Sequence, residues 1–200
     1  MTSLALVVLL KKIKRLKECK DMPYNMKYQL YTDGGCRGNP GIGAWGFHLI
    51  DPNQRIYERS NAEKYTTNNK MELTAVIEGL MNIPESNNVV IYTDSTYVKN
   101  GIQSWIKNWK RNGWKTRHQT PVKNQKYWRA LDDLTQKYNI EWVWVKGHSN
   151  NKGNERADTL CNIAMNKLTQ KLRPTKNILE NVKTNQISSE SKSEITINID

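Results

Sequence analysis

From residue 27 to residue 168 the chain runs through three strand-like segments and then alternates helix with strand, an order that few architectures satisfy. KYQLYTD alternates apolar with polar residues and ends in the turn-rich GGCRGNPGIG. Residues 44–50 and 55–62 read as two further strands separated by the turn DPNQ, so the first three strands form an antiparallel meander. Leu73, Val76, Ile77 and Leu80 then recur at helical spacing with one buried stripe, and the preceding TTNN offers capping side chains. Residues 89–92 form a continuous apolar run bounded by NN and DS, as in a strand covered on both faces. Helical segments continue to about Tyr138 with a break at Asn112-Gly113. A last strand, IEWVWV, precedes a Gly/Asn-rich loop and a helix over 155–167. The pattern predicts an α/β fold, a mixed sheet flanked by helices.

The flanks read differently. Residues 1–26 carry six basic and two acidic residues, with seven apolar residues at 4–10. Seven is too short to span a bilayer, and the positive charges follow the apolar stretch instead of preceding it as in a secretory signal. A dispensable leader is the plainer reading, since Met22 and Met26 offer later starts; a mitochondrial-type presequence is the alternative. Residues 169–200 end in TNQISSESKSEITINID, which buries too little apolar surface to offset the entropy of ordering and reads as a polar tail. The catalytic domain is therefore placed at 27–168. Three cysteines without CxxC spacing argue against a disulfide framework or a zinc site and for a reducing, cytoplasmic setting.

Against 31 Lys and Arg there are 19 Asp and Glu, a net charge of +12. Four of those acids sit in distinctive frames: Asp33 in YTDGGCRGNPG, Glu72 in TTNNKMELTA, Asp94 in IYTDSTYV and Asp158 in GNERADTL. Asp33 and Asp94 fall at or near predicted strand ends, where ligand sites of α/β sheets gather. Singly, each has an ordinary explanation as a turn former, a helix-start acid or an N-cap. Together they make a set of hard oxygen donors suited to divalent cations, in a basic chain suited to a phosphate backbone. Residues 99–129 hold nine Lys/Arg and no Asp or Glu, interleaved with Trp105, Trp109 and Trp114. Trp105 and Trp109 share a helical face. Trp as core with Lys as solvated surface is the plain reading; a basic protrusion gripping a nucleic acid through Lys110 and Arg111 is the sharper one.

The segments YTDGGCRGNPG, TTNNKMEL, YTDSTYV, GWKT…PVKN and WVKGHSNNKGNERAD, in that order, resemble type 1 ribonuclease H over about residues 26–168. The resemblance implies a five-stranded mixed sheet and cleavage of the RNA strand of RNA–DNA hybrids, giving 5′-phosphate and 3′-hydroxyl ends. It implies that Asp33, Glu72, Asp94 and Asp158 bind two Mg²⁺ ions, with Mn²⁺ as a substitute. His148 takes an auxiliary role in proton transfer or product release, and Glu155 either assists it or is a solvated helix acid. Asn39, Asn68 and Asn69 match positions that contact the minor groove of the hybrid, and Thr67 and Asn124 match positions that hold a DNA phosphate. The protrusion implies unaided hybrid binding by a monomer, with no membrane partner. His48 and His118 are expected to be structural or solvent-facing. Tyr65, beside Lys64, stands where many relatives carry Arg, and Thr96 where a longer amide is common. The alternatives are a catalytically decayed hybrid-binding protein and a ribonuclease H domain of a retroelement polyprotein.

Overall fold

The structure, a computed structural model, describes residues 26–147 and 149–173. The leader before Met26, the tail beyond Arg173 and His148 lie outside the described residues. The chain divides into units 1–168 and 169–200; of the second, only 169–173 are described.

Five strands form one sheet in the order β3-β2-β1-β4-β5. They are β1 (Tyr28–Arg37), β2 (Gly41–Ile50), β3 (Ile56–Thr66), β4 (Asn88–Thr93) and β5 (Asn139–Trp144). β1, β2 and β3 make the expected antiparallel meander, and β4 and β5 add in parallel beside β1. The helices are α1 (Asn68–Met81), the short α2 (Thr96–Asn100), α3 (Ile106–Arg111), α4 (Gln125–Thr135) and α5 (Lys152–Leu172), with a π-helical turn at Gly101–Trp105 joining α2 to α3. β2 and β3 extend past the predicted bounds, as does α5, because backbone pairing carries on where side-chain periodicity fades.

Strand alternation assigns the two faces. On one, Leu30, Phe47 and Leu49 meet Met71, Leu73, Val76 and Leu80 of α1 in the main core, which Trp128 and Leu131 of α4 complete. On the other, Ala44 meets Cys161, Ala164 and Met165 of α5. The tryptophans of 99–129 belong largely to the first cluster. Trp105, Trp109 and Trp128 form a chain of ring contacts at 5.6 and 5.5 Å, and Trp114 joins Trp109 at 6.3 Å. Trp114 is buried, with the Arg129 guanidinium over its ring at 5.0 Å.

Gly101 sits under this cluster. A Cβ there would fall 1.9 Å from the Trp128 ring, and Trp128 is fully buried. Gly101→Ala is therefore expected to cost about 3 kcal/mol or more by forcing the ring aside. Urea unfolding checks this; Gly→Ala at a helical position without a clash would gain up to about 1 kcal/mol, so unchanged or raised stability would contradict it.

Capping of α1 departs from the sequence expectation. Thr67 is the N-cap residue but its side chain makes no capping hydrogen bond. Instead the side chain of Asn39, from the β1–β2 turn, accepts from the main-chain N–H of Asn68 at 3.3 Å. A distant amide fills the role that local spacing had given to TTNN.

Candidate active site

The parallel pairing of β1 with β4 ends at Thr32↔Thr93. The next residue on each strand is Asp33 and Asp94, so register alone sets these two acids side by side. Asp33 is mid-strand, since β1 continues to Arg37 along β2; Asp94 follows the last residue of β4. The strand-end expectation thus holds for Asp94, whereas Asp33 marks the end of one pairing and not of its strand.

Two glycines bring in the other acids, one from each face. A Cβ on Gly34 would lie 2.2 Å from the main-chain nitrogen of Glu72, so only glycine lets the start of α1 press against β1. Gly46 is the cross-strand partner of Asp33, and a Cβ there would lie 2.8 Å from the carbonyl of Ala157. That close approach carries Asp158, the next residue of α5, towards the sheet.

Hydrogen bonds hold the carboxylates in place. Glu72 Oε1 accepts from Asn68 Nδ2 at 2.8 Å, and Oε2 accepts from the Ser95 hydroxyl, whose oxygen also caps α2 by accepting from the Val98 N–H. Asp94 Oδ2 accepts from Asn154 Nδ2 at 3.3 Å, while its main-chain carbonyl accepts from Trp144 Nε1 at 3.1 Å. Asp158 Oδ1 accepts from Asn162 Nδ2 at 2.8 Å. Asp33 takes hydrogen bonds from the Cys161 thiol and the Gly34 backbone.

None of the four makes an ion pair among the described residues. Burial and uncompensated charge are visible in the proton affinities of Asp33 and Glu72. Burial, then the charges of Asp94 and Asp158, push the Asp33 carboxyl up to about 6. Burial, with the charges of Asp33 and Asp94, pushes Glu72 up to about 7 against the opposing hydrogen bond from Ser95. Among the described residues no three His, Cys, Asp or Glu side chains are gathered closely enough to hold a metal ion as they stand. The chemistry of the set nevertheless fits a hard cation: the donors are all oxygens, and their mutual repulsion is the term a divalent charge would cancel. The Oδ1 of buried Asn154, beside Asp94, also has no hydrogen-bond partner.

The remaining predicted residues surround this centre or lie apart from it. Asn39 accepts from the main-chain N–H of Asn68, whose side chain in turn donates to Glu72. Thr67 and Asn69 flank Asn68 and are half-buried. Asn124 precedes α4 in a left-handed conformation, φ 59°, and its amide reaches the Tyr97 hydroxyl at 3.3 Å. Trp105 and Trp109 are half-buried against the core cluster. Lys110 pairs with Asp132 at 2.7 Å and Arg111 bonds Asn108 at 2.8 Å. Tyr65 is 76% exposed. Glu155 accepts from the Asn150 N–H at 3.1 Å, tying the loop to the start of α5. His118 is exposed, and His48 is buried in β2, bonded to Glu58. Sequence reasoning missed Ser95, Asn154 and the two glycines. Their signal was adjacency: Ser95 follows Asp94, Asn154 lies one helical turn before Asp158, and Gly34 follows Asp33.

A three-strand meander extended by two parallel strands, with acids meeting where β1 and β4 part, defines a ribonuclease H-like protein. The family model for RNase H matches residues 25–166. The chain is 54% identical over 141 residues to a ribonuclease H of Francisella philomiragia, covering 70% of this chain and 92% of that protein. It is 52% identical over 138 residues to ribonuclease HI of Neisseria meningitidis, covering 69% and 94%. The crystal structure of LC9-RNase H1, a type 1 RNase H with the type 2 active-site motif, superposes with a TM-score of 0.62 at 30% identity, over 74% of this chain and 75% of that one. The chain belongs to the ribonuclease H family, in its type 1, bacterial HI-like branch.

Proposed function

We propose that this chain is an endoribonuclease that hydrolyses the RNA strand of RNA–DNA hybrids and leaves 5′-phosphate and 3′-hydroxyl ends. Its membership of the family supports this reading. The observation that carries it is the meeting of acids from β1, α1, the end of β4 and α5 without a cationic partner among the described residues. Asp33, Glu72, Asp94 and Asp158 would hold two Mg²⁺ ions, or Mn²⁺, which supply an activated water and neutralise charge on the leaving oxygen. Asn68 and Ser95 orient Glu72, and Asn154 orients Asp94. His148 is assigned an auxiliary proton-transfer or release role.

Recognition is assigned to groups around that centre. The amides of Asn39, Asn68 and Asn69 serve as donors and acceptors for the 2′-hydroxyls of the RNA strand. Thr67 and Asn124 hold a DNA phosphate, and residues 99–129, with Lys110, Arg111 and the half-buried Trp105 and Trp109, form the surface on which the DNA strand lies, whereas Trp114 is buried in the core and supports that surface from below. No helix among the described residues is long and apolar enough to cross a membrane. The reading takes a cytoplasmic monomer with a catalytic domain at 27–168.

End-labelled hybrid incubated with pure protein and Mg²⁺ tests the activity. Cleavage confined to the RNA strand and abolished by chelator is expected. Tight binding without cleavage would instead favour the decayed, hybrid-binding alternative. A salt series tests the protrusion. Arg111→Ala is expected to weaken binding and reduce the slope of log K against log salt by about 1, with chemistry intact at saturating substrate. Lys110→Ala should do the same and also lose stability, because it leaves the carboxylate of Asp132 unpaired at 9% exposure. An unchanged slope in both variants would remove residues 99–129 from the binding surface.

A further inference from the structure

Outside the carboxylate centre, one row of side chains crosses the sheet on the face that α5 covers. Register aligns Tyr92 of β4, Tyr31 of β1, His48 of β2 and Glu58 of β3 as successive cross-strand neighbours. They touch along the row. The rings of Tyr31 and Tyr92 stack at 4.3 Å, Tyr31 meets His48 at 5.9 Å, and His48 Nδ1 is 2.6 Å from Glu58 Oε1. The row ends on α5, where Arg156 Nε donates to Glu58 Oε1 at 2.8 Å and Nη2 to Oε2 at 2.7 Å. Tyr31 also supports the first turn of that helix, since a Cβ on Gly153 would fall 2.5 Å from its ring. Both grips fall in the turns that lead into Asp158.

The grip has a load to bear. Asp158 rides on α5, whereas Asp33 lies in β1 with Asp94 just past the end of β4, and the charges of Asp94 and Asp158 both oppose that of Asp33. Repulsion therefore acts to lift the start of α5 away from β1. The contact of Gly46 with Ala157 resists only at close range. A bidentate Arg–carboxylate pair on a half-buried glutamate fixes direction as well as distance, and Arg156 together with His48 holds that glutamate ionised down to about pH 2.

We propose that the His48–Glu58–Arg156 bridge is a positioning device that holds Asp158 at the distance from Asp33 at which both can share a divalent cation. This rests on the reading of those acids as metal ligands. The bridge residues hold a helix, and the helix presents the ligand. Their contribution is greatest before a cation arrives, because the cation itself cancels the repulsion.

Calorimetric titration of the full chain with Mg²⁺, without nucleic acid, tests the bridge, alongside turnover of hybrid as a function of Mg²⁺. Arg156→Ala and Glu58→Gln are expected to weaken Mg²⁺ binding about three- to tenfold, below the range for partners that bond a ligand directly, because they act through a helix. The Mg²⁺ needed for half-maximal cleavage should rise by the same factor, with the KM for hybrid and kcat at saturating Mg²⁺ unchanged. Arg156→Lys, which keeps the charge, should recover part of the loss. A merely structural bridge would lower Tm but leave Mg²⁺ affinity within about twofold, and that result overturns the proposal. Should Arg156→Ala fail to fold, Glu58→Gln carries the comparison. Wild-type protein that binds Mg²⁺ and cleaves hybrid, with variants that bind equally well, refutes the bridge alone. Wild-type protein that does neither refutes the functional reading and the bridge with it.

Discussion

Asp94→Asn is expected to lower kcat by at least about 10³-fold, roughly 4 kcal/mol of transition-state stabilisation, while making the metal-free protein more stable. The two effects have one cause. Asp94 stands on the next rung to Asp33, and its charge raises the proton affinity of both Asp33 and Glu72. The amide keeps the shape and a hydrogen-bonding oxygen for Asn154 but removes one anionic donor, so the attraction for a divalent cation falls. Without a cation the same removal relieves repulsion, and a gain of about 1 kcal/mol or more is expected in chelator. Single-turnover cleavage and urea unfolding with and without Mg²⁺ measure the two arms. An Asp94→Asn protein with full activity would refute the assigned mechanism even if the hydrolysis itself stood.

The pH dependence of the metal-free protein follows from the same field, and its sign is opposite to that of a salt-bridged acid. Asp33 is raised from an ordinary 3.8 to about 6, and Glu72 from 4.5 to about 7. The folded protein therefore binds these protons more tightly than the unfolded chain does. Between about pH 4 and pH 7 stability falls as pH rises, by a total on the order of 4 kcal/mol, because ionisation must occur against burial and neighbouring charge. Glu58 works the other way. Held down to about 2 by Arg156 and His48, it stabilises above its unfolded value and that contribution is lost only as pH drops further. Stability in chelator should thus peak near pH 4 to 5, and saturating Mg²⁺ should flatten the decline above it. Urea midpoints across that range decide the matter; stability that climbs steadily from pH 4 to pH 7 in chelator would show the acids to be well compensated.

Much of this architecture was legible in the chain. The meander and the alternating half follow from hydrophobic period, which side-chain burial imposes directly. The acids stood out because each occupies a frame that ordinary solubility does not require. What periodicity does not carry is who touches whom across long separations. Asn39 caps a helix whose first residue lies 29 positions later, and no local spacing encodes that. Thr67 was the better candidate by local rules, and it makes no cap bond. The tryptophans of 99–129 illustrate another limit. Alternating Trp and Lys is compatible with a solvated or a packed aromatic row, and only the position of Trp128, fourteen residues after Trp114, shows that much of each ring faces the core. Asn154 and Ser95 escaped notice because a neutral side chain beside an acid is common and becomes informative only with its partner known.

The bond from Asn39 to Asn68, and from Asn68 to Glu72, has a kinetic consequence. One amide assigned to reading the sugar, Asn68, also seats a carboxylate assigned to the chemistry, and a second, Asn39, holds the main chain of Asn68. A strand with the wrong sugar that tugs on Asn39 or Asn68 disturbs Glu72 at the same moment. Discrimination between ribose and deoxyribose should then be felt in the rate of bond breaking more than in occupancy, so that duplex DNA behaves as a ligand that is held but poorly processed.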